Sequence, residues 1–174
     1  MNAVLAAIRS RRVVRSMDDE PVGREALAAI LDAARWAPSA GNRHLQRFVV
    51  TDHPGTLRVL RMVSPGMIAR PTAAIVICTD WSLAAEFGFR PDVPGPWIDV
   101  GTAAATILLA AHSIGVGAGP VTSFSKAAVS TLLELPDGLE PDMIVCLGHP
   151  ASGGPAPIRR GRTIAWQDLT TFVP

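Results

Sequence analysis

Two short, uninterrupted apolar runs constrain the fold of this chain more than any other feature of its sequence. They cover residues 73–79 (AAIVICT) and 143–148 (MIVCLG), and neither contains a charged side chain. Runs of this length and composition are typical of strands that are covered on both faces. We therefore expect both runs to form buried strands.

Segments with helical periodicity alternate with these strands. In residues 24–36, leucine, isoleucine and alanine side chains fall on one helical face, and Pro38 ends the pattern. Helices are likewise predicted over residues 1–12, 53–63, 99–114 and 125–135, and a strand is predicted over 47–51. Residues 116–121 are predicted to lead into a turn. The proline-rich stretch 81–96 is predicted as a loop that lines or covers a site. This alternation indicates one α/β or α+β domain over residues 1–174.

The charge balance and the apolar pattern exclude several classes of partner. Charged residues make up 18% of the chain and the formal net charge is +1, so no overall positive field would hold nucleic acid or an anionic membrane. The longest apolar run, residues 100–111, is shorter than the roughly 20 residues that cross a bilayer. The first residues lack the charge order of a secretory leader. We expect a cytoplasmic protein.

The cysteines and histidines argue against a metal site. The four histidines are scattered without ligand spacing. Cys78 and Cys146 lie within the apolar runs and form no CxxC motif. We expect buried thiols in a reducing compartment and no metal.

Arginine is distributed unevenly along the chain. Arg11, Arg12 and Arg15 lie at the end of the first predicted helix, and Arg160 and Arg162 lie in a Gly/Pro-rich segment far along the chain. Two such clusters would clamp a phosphate if they met in space, because guanidinium groups match phosphate oxygens. Spacing alone favours the other interpretation, in which both clusters are solvated surface.

The loop over residues 38–42 (PSAGN) is the second candidate site. Its serine and asparagine are common turn residues, and no GxSxG motif supports a hydrolase. The glycines at positions 115, 117 and 119 follow a helix and precede Pro120, so they do not form the GxGxxG motif of a dinucleotide site.

Two motifs in this order point to a known family. The first, Ile-x-x-Arg-Arg-Ser-x-Arg before an aromatic residue, is matched by residues 8–17, with Val13 in place of the serine and Met17 in place of the aromatic. The second, Ala-Pro-Ser-x-x-Asn-x-Gln-Pro-Trp-x-Phe, is matched by residues 37–48, with His-Leu-Gln at 44–46.

Later segments continue the match. Residues 99–117 are similar to a central helix, 120–124 (PVTSF) stand where a Pro-hydrophobic-Gly-Gly turn is expected, and 145–150 with 160–162 match a last strand and a basic tail. Across nearly its whole length the chain resembles the nitroreductase family of FMN-dependent oxidoreductases.

The resemblance implies an α+β fold with a central mixed sheet wrapped by helices, and an obligate homodimer with FMN at its interface. Arg11 and Arg12 with Arg160 and Arg162 would hold the FMN phosphate, and Arg15 would approach the flavin N1/O2 edge. The other implied cofactor contacts are Val13, Pro38, Ser39, Ala40, Asn42, Pro120, Val121, Thr122 and Ser123. The loop 38–42 would reach the flavin of the other subunit, and the Thr122 N–H would donate to N5.

The implied reaction needs no catalytic side chain, because the flavin carries the redox chemistry. NADH or NADPH would deliver a hydride and leave, and a nitroaromatic, quinone or enone would then take its place in a ping-pong reaction. A flavin-dependent oxidase or dehydrogenase of a biosynthetic intermediate and a non-catalytic FMN-binding protein remain open. We expect an open apolar acceptor pocket, with ordinary core packing as the alternative; its residues would be Met62, Met67, Phe87, Phe89 and Trp97.

Overall fold

The two apolar runs form the central strands of a four-stranded sheet. A computed structural model of the chain describes residues 2–152 and 164–173. The strands are β1 (Gln46–Thr51), β2 (Ala73–Asp80), β3 (Gly117–Val121) and β4 (Leu139–Gly148), in the order β1-β2-β4-β3. Residues 73–79 of β2 are all buried, as the sequence predicts.

Every neighbouring pair in this sheet is antiparallel, whereas a mixed sheet was expected. The α+β class is confirmed. The expectation of a mixed sheet is corrected, because the four strands of the described residues form an antiparallel sheet. An uninterrupted apolar run reports that both faces of a strand are covered, and either strand direction satisfies that condition. The sequence pattern therefore predicted burial correctly and carried no information on direction.

Helices cover both faces of the sheet. On one face lie α2 (Arg24–Ala34) and α5 (Gly95–Ser113), and on the other lie α3 (Pro54–Met62) and α6 (Lys126–Leu132). Alternate residues of β2 separate accordingly: Ile75 and Ile77 pack in the α2/α5 core, and Val76 and Cys78 pack in the α3/α6 core. A short first helix, α1 (Ala3–Ser10), contacts α5.

The stretch predicted as a loop over residues 81–96 is partly helical. Helix α4 (Trp81–Glu86) follows β2 directly, and the Asp80 carboxylate accepts a hydrogen bond from the Leu83 N–H at 2.9 Å. Helix α5 begins at Gly95 rather than at residue 99, because a proline such as Pro96 is compatible with the first helical turn. Only residues 87–94 connect the two helices.

Both cysteines are free and buried, which confirms the prediction from their strand positions. Burial raises the pKa of Cys146 to about 12. The pKa of Cys78 is also raised to about 12, by burial first and by the nearby Asp142 carboxylate second. In residues 2–152 and 164–173, no helix is both long enough and apolar enough to cross a membrane.

Candidate functional site

The segment that carries the first arginine cluster runs along the edge of the sheet beside β3. The Val14 N–H donates to the Ala118 carbonyl at 3.0 Å. A Cβ atom at Gly119 would lie 2.9 Å from the Val14 carbonyl oxygen, and one at Gly117 would lie 2.9 Å from a Val14 methyl group. The closely spaced glycines at 117 and 119 therefore allow this segment to approach β3 closely.

Arg11 and Arg12 have different surroundings although they are adjacent. The Nη1 atom of Arg11 is buried and has no hydrogen-bond partner among the described residues. Nη1 of Arg12 donates to the carbonyls of Arg9 at 2.6 Å and Arg11 at 2.8 Å, so this side chain satisfies carbonyls at the end of α1. A buried guanidinium nitrogen without a partner is costly, and an anion would satisfy it. Arg11 is therefore the residue of the pair that fits a phosphate ligand.

The segment after Arg15 pairs with residues 150 and 151, which follow β4. Met17 forms a β-bridge with Pro150, and the Ala151 N–H donates to the Ser16 carbonyl at 3.1 Å. Arg15 itself is exposed. The chain that continues toward the second cluster thus passes next to the first. Arg160 and Arg162 themselves lie outside the described residues.

The loop 38–42 is fixed to the first turns of α5. The Ala40 N–H donates to both carboxylate oxygens of Asp99, at 2.9 and 3.0 Å, and the Thr102 hydroxyl donates to the Pro38 carbonyl at 2.8 Å. Asp99 is only 4% exposed, so its carboxylate bonds to this loop inside the protein and is not presented to solvent. Ser39 accepts a hydrogen bond from the His44 N–H at 3.2 Å. Asp99 and Thr102 are positioning residues for this loop.

The motif comparison missed Asp99 and Thr102, although the sequence contains a signal for one of them. Asp99 is the one Asp, Glu, Lys or Arg residue in the mainly apolar α5. A charged side chain on a helix of this kind must find a polar partner when it is buried. That reasoning predicts a buried anchor at Asp99 without naming the loop that it holds.

The arginine segment and the loop 38–42 lie at opposite ends of α5. The Ser10 hydroxyl, next to Arg11 in the chain, is 2.8 Å from Nε2 of His112, while the loop is bonded to Asp99. At 1.5 Å per residue, the helix from Asp99 to His112 spans about 20 Å. Within a single chain, these two parts of the predicted cofactor site therefore lie far apart.

Four further predicted cofactor contacts, residues 120–123, are at and after the end of β3. Val121 is 6% exposed and packs in the α3/α6 core, whereas Pro120, Thr122 and Ser123 are exposed. The Ser123 carbonyl accepts a hydrogen bond from the Gly66 N–H at 3.0 Å, which fixes the turn after the strand. Pro120, Thr122 and Ser123 thus remain accessible to a ligand, and Val121 holds the strand end in place.

The predicted acceptor-pocket residues separate into two groups. Two aromatic side chains lie near the loop 38–42: Phe87 lies under the guanidinium of the following Arg43, 4.3 Å from the ring centroid, and Phe89 lies beside Gly95, which also faces Ala40. Trp97, on α5, is 55% exposed. Met67 is 3% exposed and belongs to the α3/α6 core on the other face of the sheet. The structure therefore corrects the placement of Met67 and makes it a core residue. Met62, at the end of α3, is exposed.

The sequence model of the Nitroreductase family matches residues 8–80 and 64–149, which is most of the chain. This chain belongs to the nitroreductase family. The predicted resemblance is confirmed, and the matched range contains the Arg11–Arg15 segment, the loop 38–42 and β3. Arg160 and Arg162 lie beyond it.

Individual relatives agree with this assignment. A Methanothermobacter thermautotrophicus protein with the provisional name NADH dehydrogenase/NAD(P)H nitroreductase is 34% identical over 155 residues, which are 85% of this chain and 78% of that protein. The Bacillus subtilis FMN reductase [NAD(P)H] is 27% identical, over 87% of this chain and 67% of its own length. A nitroreductase family protein from Clostridium difficile superposes with a TM-score of 0.81 at 25% identity, covering 99% of this chain and 98% of that structure.

Proposed function

We propose that this nitroreductase-family protein is an FMN-dependent oxidoreductase that uses NAD(P)H. Its relatives are named for NADH, NAD(P)H and FMN chemistry. The observation in this chain that carries the proposal is the buried Nη1 of Arg11, which has no partner among the described residues. In a protein of this family, the phosphate group of FMN is the anion that would bind this nitrogen. The electron acceptor is a flat molecule such as a nitroaromatic, a quinone or an enone.

The residues fit an FMN cofactor in the following way. Arg11 binds the phosphate, joined by Arg160 and Arg162 from the basic segment and by those nitrogens of Arg12 that are not bonded to α1. Arg15, exposed on the same segment, stabilises negative charge at the flavin N1/O2 edge. When bound, FMN supplies two-electron transfer between NAD(P)H and the acceptor.

The turn after β3 and the aromatic group give the site its shape. The backbone of Pro120, Thr122 and Ser123 would line the flavin ring, and the Thr122 N–H would donate a hydrogen bond to it. Phe87, Phe89 and Trp97 provide apolar surface near the loop 38–42. A flat acceptor would bind against such surface with weak directional selection.

A second copy of this chain completes the site. Loop 38–42 and Arg11 are separated along α5 by about 20 Å, so Ser39 and Asn42 serve the cofactor that the other subunit's arginines hold. Apolar side chains that a partner could cover are exposed in the single chain; on α1 and α5 they are Val4, Leu5, Ile8, Trp97 and Ile98. We propose a homodimer, which light scattering would detect as twice the 18.3 kDa chain mass.

The proposal is tested with Arg11→Gln and a matched control, Arg24→Gln. Arg24 has an 89% exposed side chain, and within the described part of the chain its one ion-pair partner is Asp52, at 3.4 Å. A charge-assisted hydrogen bond contributes about 1.5–3 kcal/mol, so Arg11→Gln should weaken FMN binding at least tenfold while Arg24→Gln leaves it unchanged. FMN affinity is measured by quenching of flavin fluorescence. Equal affinities for the two variants would refute the phosphate assignment.

Turnover distinguishes the proposed enzyme from its alternatives. Steady oxidation of NADH or NADPH with a quinone acceptor supports the oxidoreductase. An oxidase or dehydrogenase of a biosynthetic intermediate, or a protein that only holds FMN, would bind flavin without this turnover. FMN binding without NAD(P)H oxidation for any flat acceptor would therefore overturn the activity and keep the site.

A further inference from the structure

A cavity opens at the other edge of the sheet, away from the arginine segment beside β3. It has a volume of about 440 Å³ and lies where β1 ends, β2 begins and α3 starts. Three guanidinium-bearing residues line it: Arg58 and Arg61 of α3 and Arg70 of the loop before β2. Three strand spacings, about 14 Å, separate β1 from β3, so this cavity is distinct from the proposed FMN phosphate site.

The three arginines carry positive charge that the described residues do not pair. No ion pair or side-chain hydrogen bond joins Arg58, Arg61 or Arg70 to any other described residue. Arg58 and Arg61 are three positions apart on α3, which places them on one side of the helix. Cations held together in this way disfavour one another unless an anion binds between them.

The acidic residues at the cavity do not cancel this charge. Asp52 and Asp19 both line it, but Asp52 is already paired with Arg24 at 3.4 Å. Asp19 alone therefore opposes three guanidinium groups, which leaves the cavity with an excess of about two positive charges by this count. The excess selects an anion with more than one negative charge.

The rest of the wall is mainly apolar. Pro21, Pro54 and Leu57 line the cavity together with the arginines. Small-molecule sites commonly have volumes of about 300–1,000 Å³, with apolar walls and a few charged groups that fix orientation. A phosphate group would meet the guanidinium forks, and an attached flat group would lie against the prolines.

We propose that this cavity binds a phosphate-bearing small molecule of up to mononucleotide size. The site acts independently of the FMN site, and its occupant is a diphosphate-type anion or a nucleoside monophosphate. The two share the phosphate chemistry, and they differ in whether the apolar wall contributes to binding.

The test uses FMN-saturated protein, so that the proposed cofactor site is not available to the probes. Isothermal titration calorimetry at constant ionic strength measures binding of inorganic pyrophosphate, adenosine 5′-monophosphate and adenosine. The protein is compared with Arg61→Gln/Arg70→Gln and with Arg35→Gln, whose exposed side chain pairs with Asp32 at 2.6 Å elsewhere on the surface. Arg58→Gln, an exposed position, serves as a second cavity variant.

We expect a phosphate-bearing probe to bind with a stoichiometry of one molecule per chain. Its affinity should be at least tenfold lower for the double variant and unchanged for Arg35→Gln. Tighter binding of the nucleotide than of pyrophosphate would assign the apolar wall to a base, and the reverse order would assign the site to simple phosphates. Binding that is equal in all variants, binding of adenosine alone, or no binding of either phosphate probe would overturn the proposal. FMN content, measured on the same samples, reports separately on the proposed function.

Discussion

Replacing Asp99 tests how the loop 38–42 is held in position. Asp99 is buried, and its carboxylate accepts the Ala40 N–H through both oxygens. A hydrogen bond to a charged group contributes about 1.5–3 kcal/mol, and an unpaired buried donor costs about 1–3 kcal/mol. We therefore expect Asp99→Ala to lower the free energy of unfolding by about 2 kcal/mol. Asp99→Asn should cost less, because the amide oxygen still accepts the hydrogen bond.

The same substitutions should affect cofactor binding through the loop. Asp99→Ala should weaken FMN binding, and Thr102→Val should weaken it less, because Thr102 donates to a carbonyl without a formal charge on either partner. Urea unfolding at fixed protein concentration and FMN fluorescence titration provide the two measurements. If Asp99→Ala changes both quantities no more than Asp99→Asn does, Asp99 does not position the loop.

Two other groups give predictions on pH and reactivity. Partial burial lowers the pKa of Lys126, but the hydrogen bond to Asp142 at 2.6 Å and the charges of Asp142 and Glu140 outweigh it, so the pKa lies above 10.5. A raised pKa means that the pair stabilises the fold below pH 10.5 and loses this contribution as pH rises further; urea unfolding should show that loss in the parent and not in Lys126→Met. Because the pKa values of Cys78 and Cys146 are about 12, neither thiol should react with Ellman's reagent at pH 8 until the protein is unfolded, and rapid reaction of the native protein would contradict their burial.

The sequence predicted the layers of this fold better than its details. The uninterrupted apolar runs located β2 and β4 because complete burial leaves a mark at every position of a strand. Strand direction leaves no such mark, so the antiparallel sheet was not predicted. Prolines obscured the start of α5, since Pro96 is equally compatible with a loop and with a first helical turn.

The candidate site shows the same division. Motif spacing identified Arg11 and the loop 38–42, but it did not distinguish Arg11, whose Nη1 lacks a partner among the described residues, from Arg12, which bonds to α1. That difference depends on where α1 ends. Met67 was grouped with the aromatic residues because it precedes them in an irregular stretch, yet the face of the sheet that a residue reaches is set by three-dimensional packing.

Helix α5 sets the distance between the two halves of the proposed cofactor site. Its first turns hold the loop 38–42 and its last turn contacts the end of α1. Inserting four residues between Asp99 and His112 would move these halves about 6 Å apart along the axis and rotate one relative to the other by about 40°. In a symmetric dimer that displacement would occur at both sites at once. A ligand of fixed size that contacts both halves would therefore constrain the length of this helix.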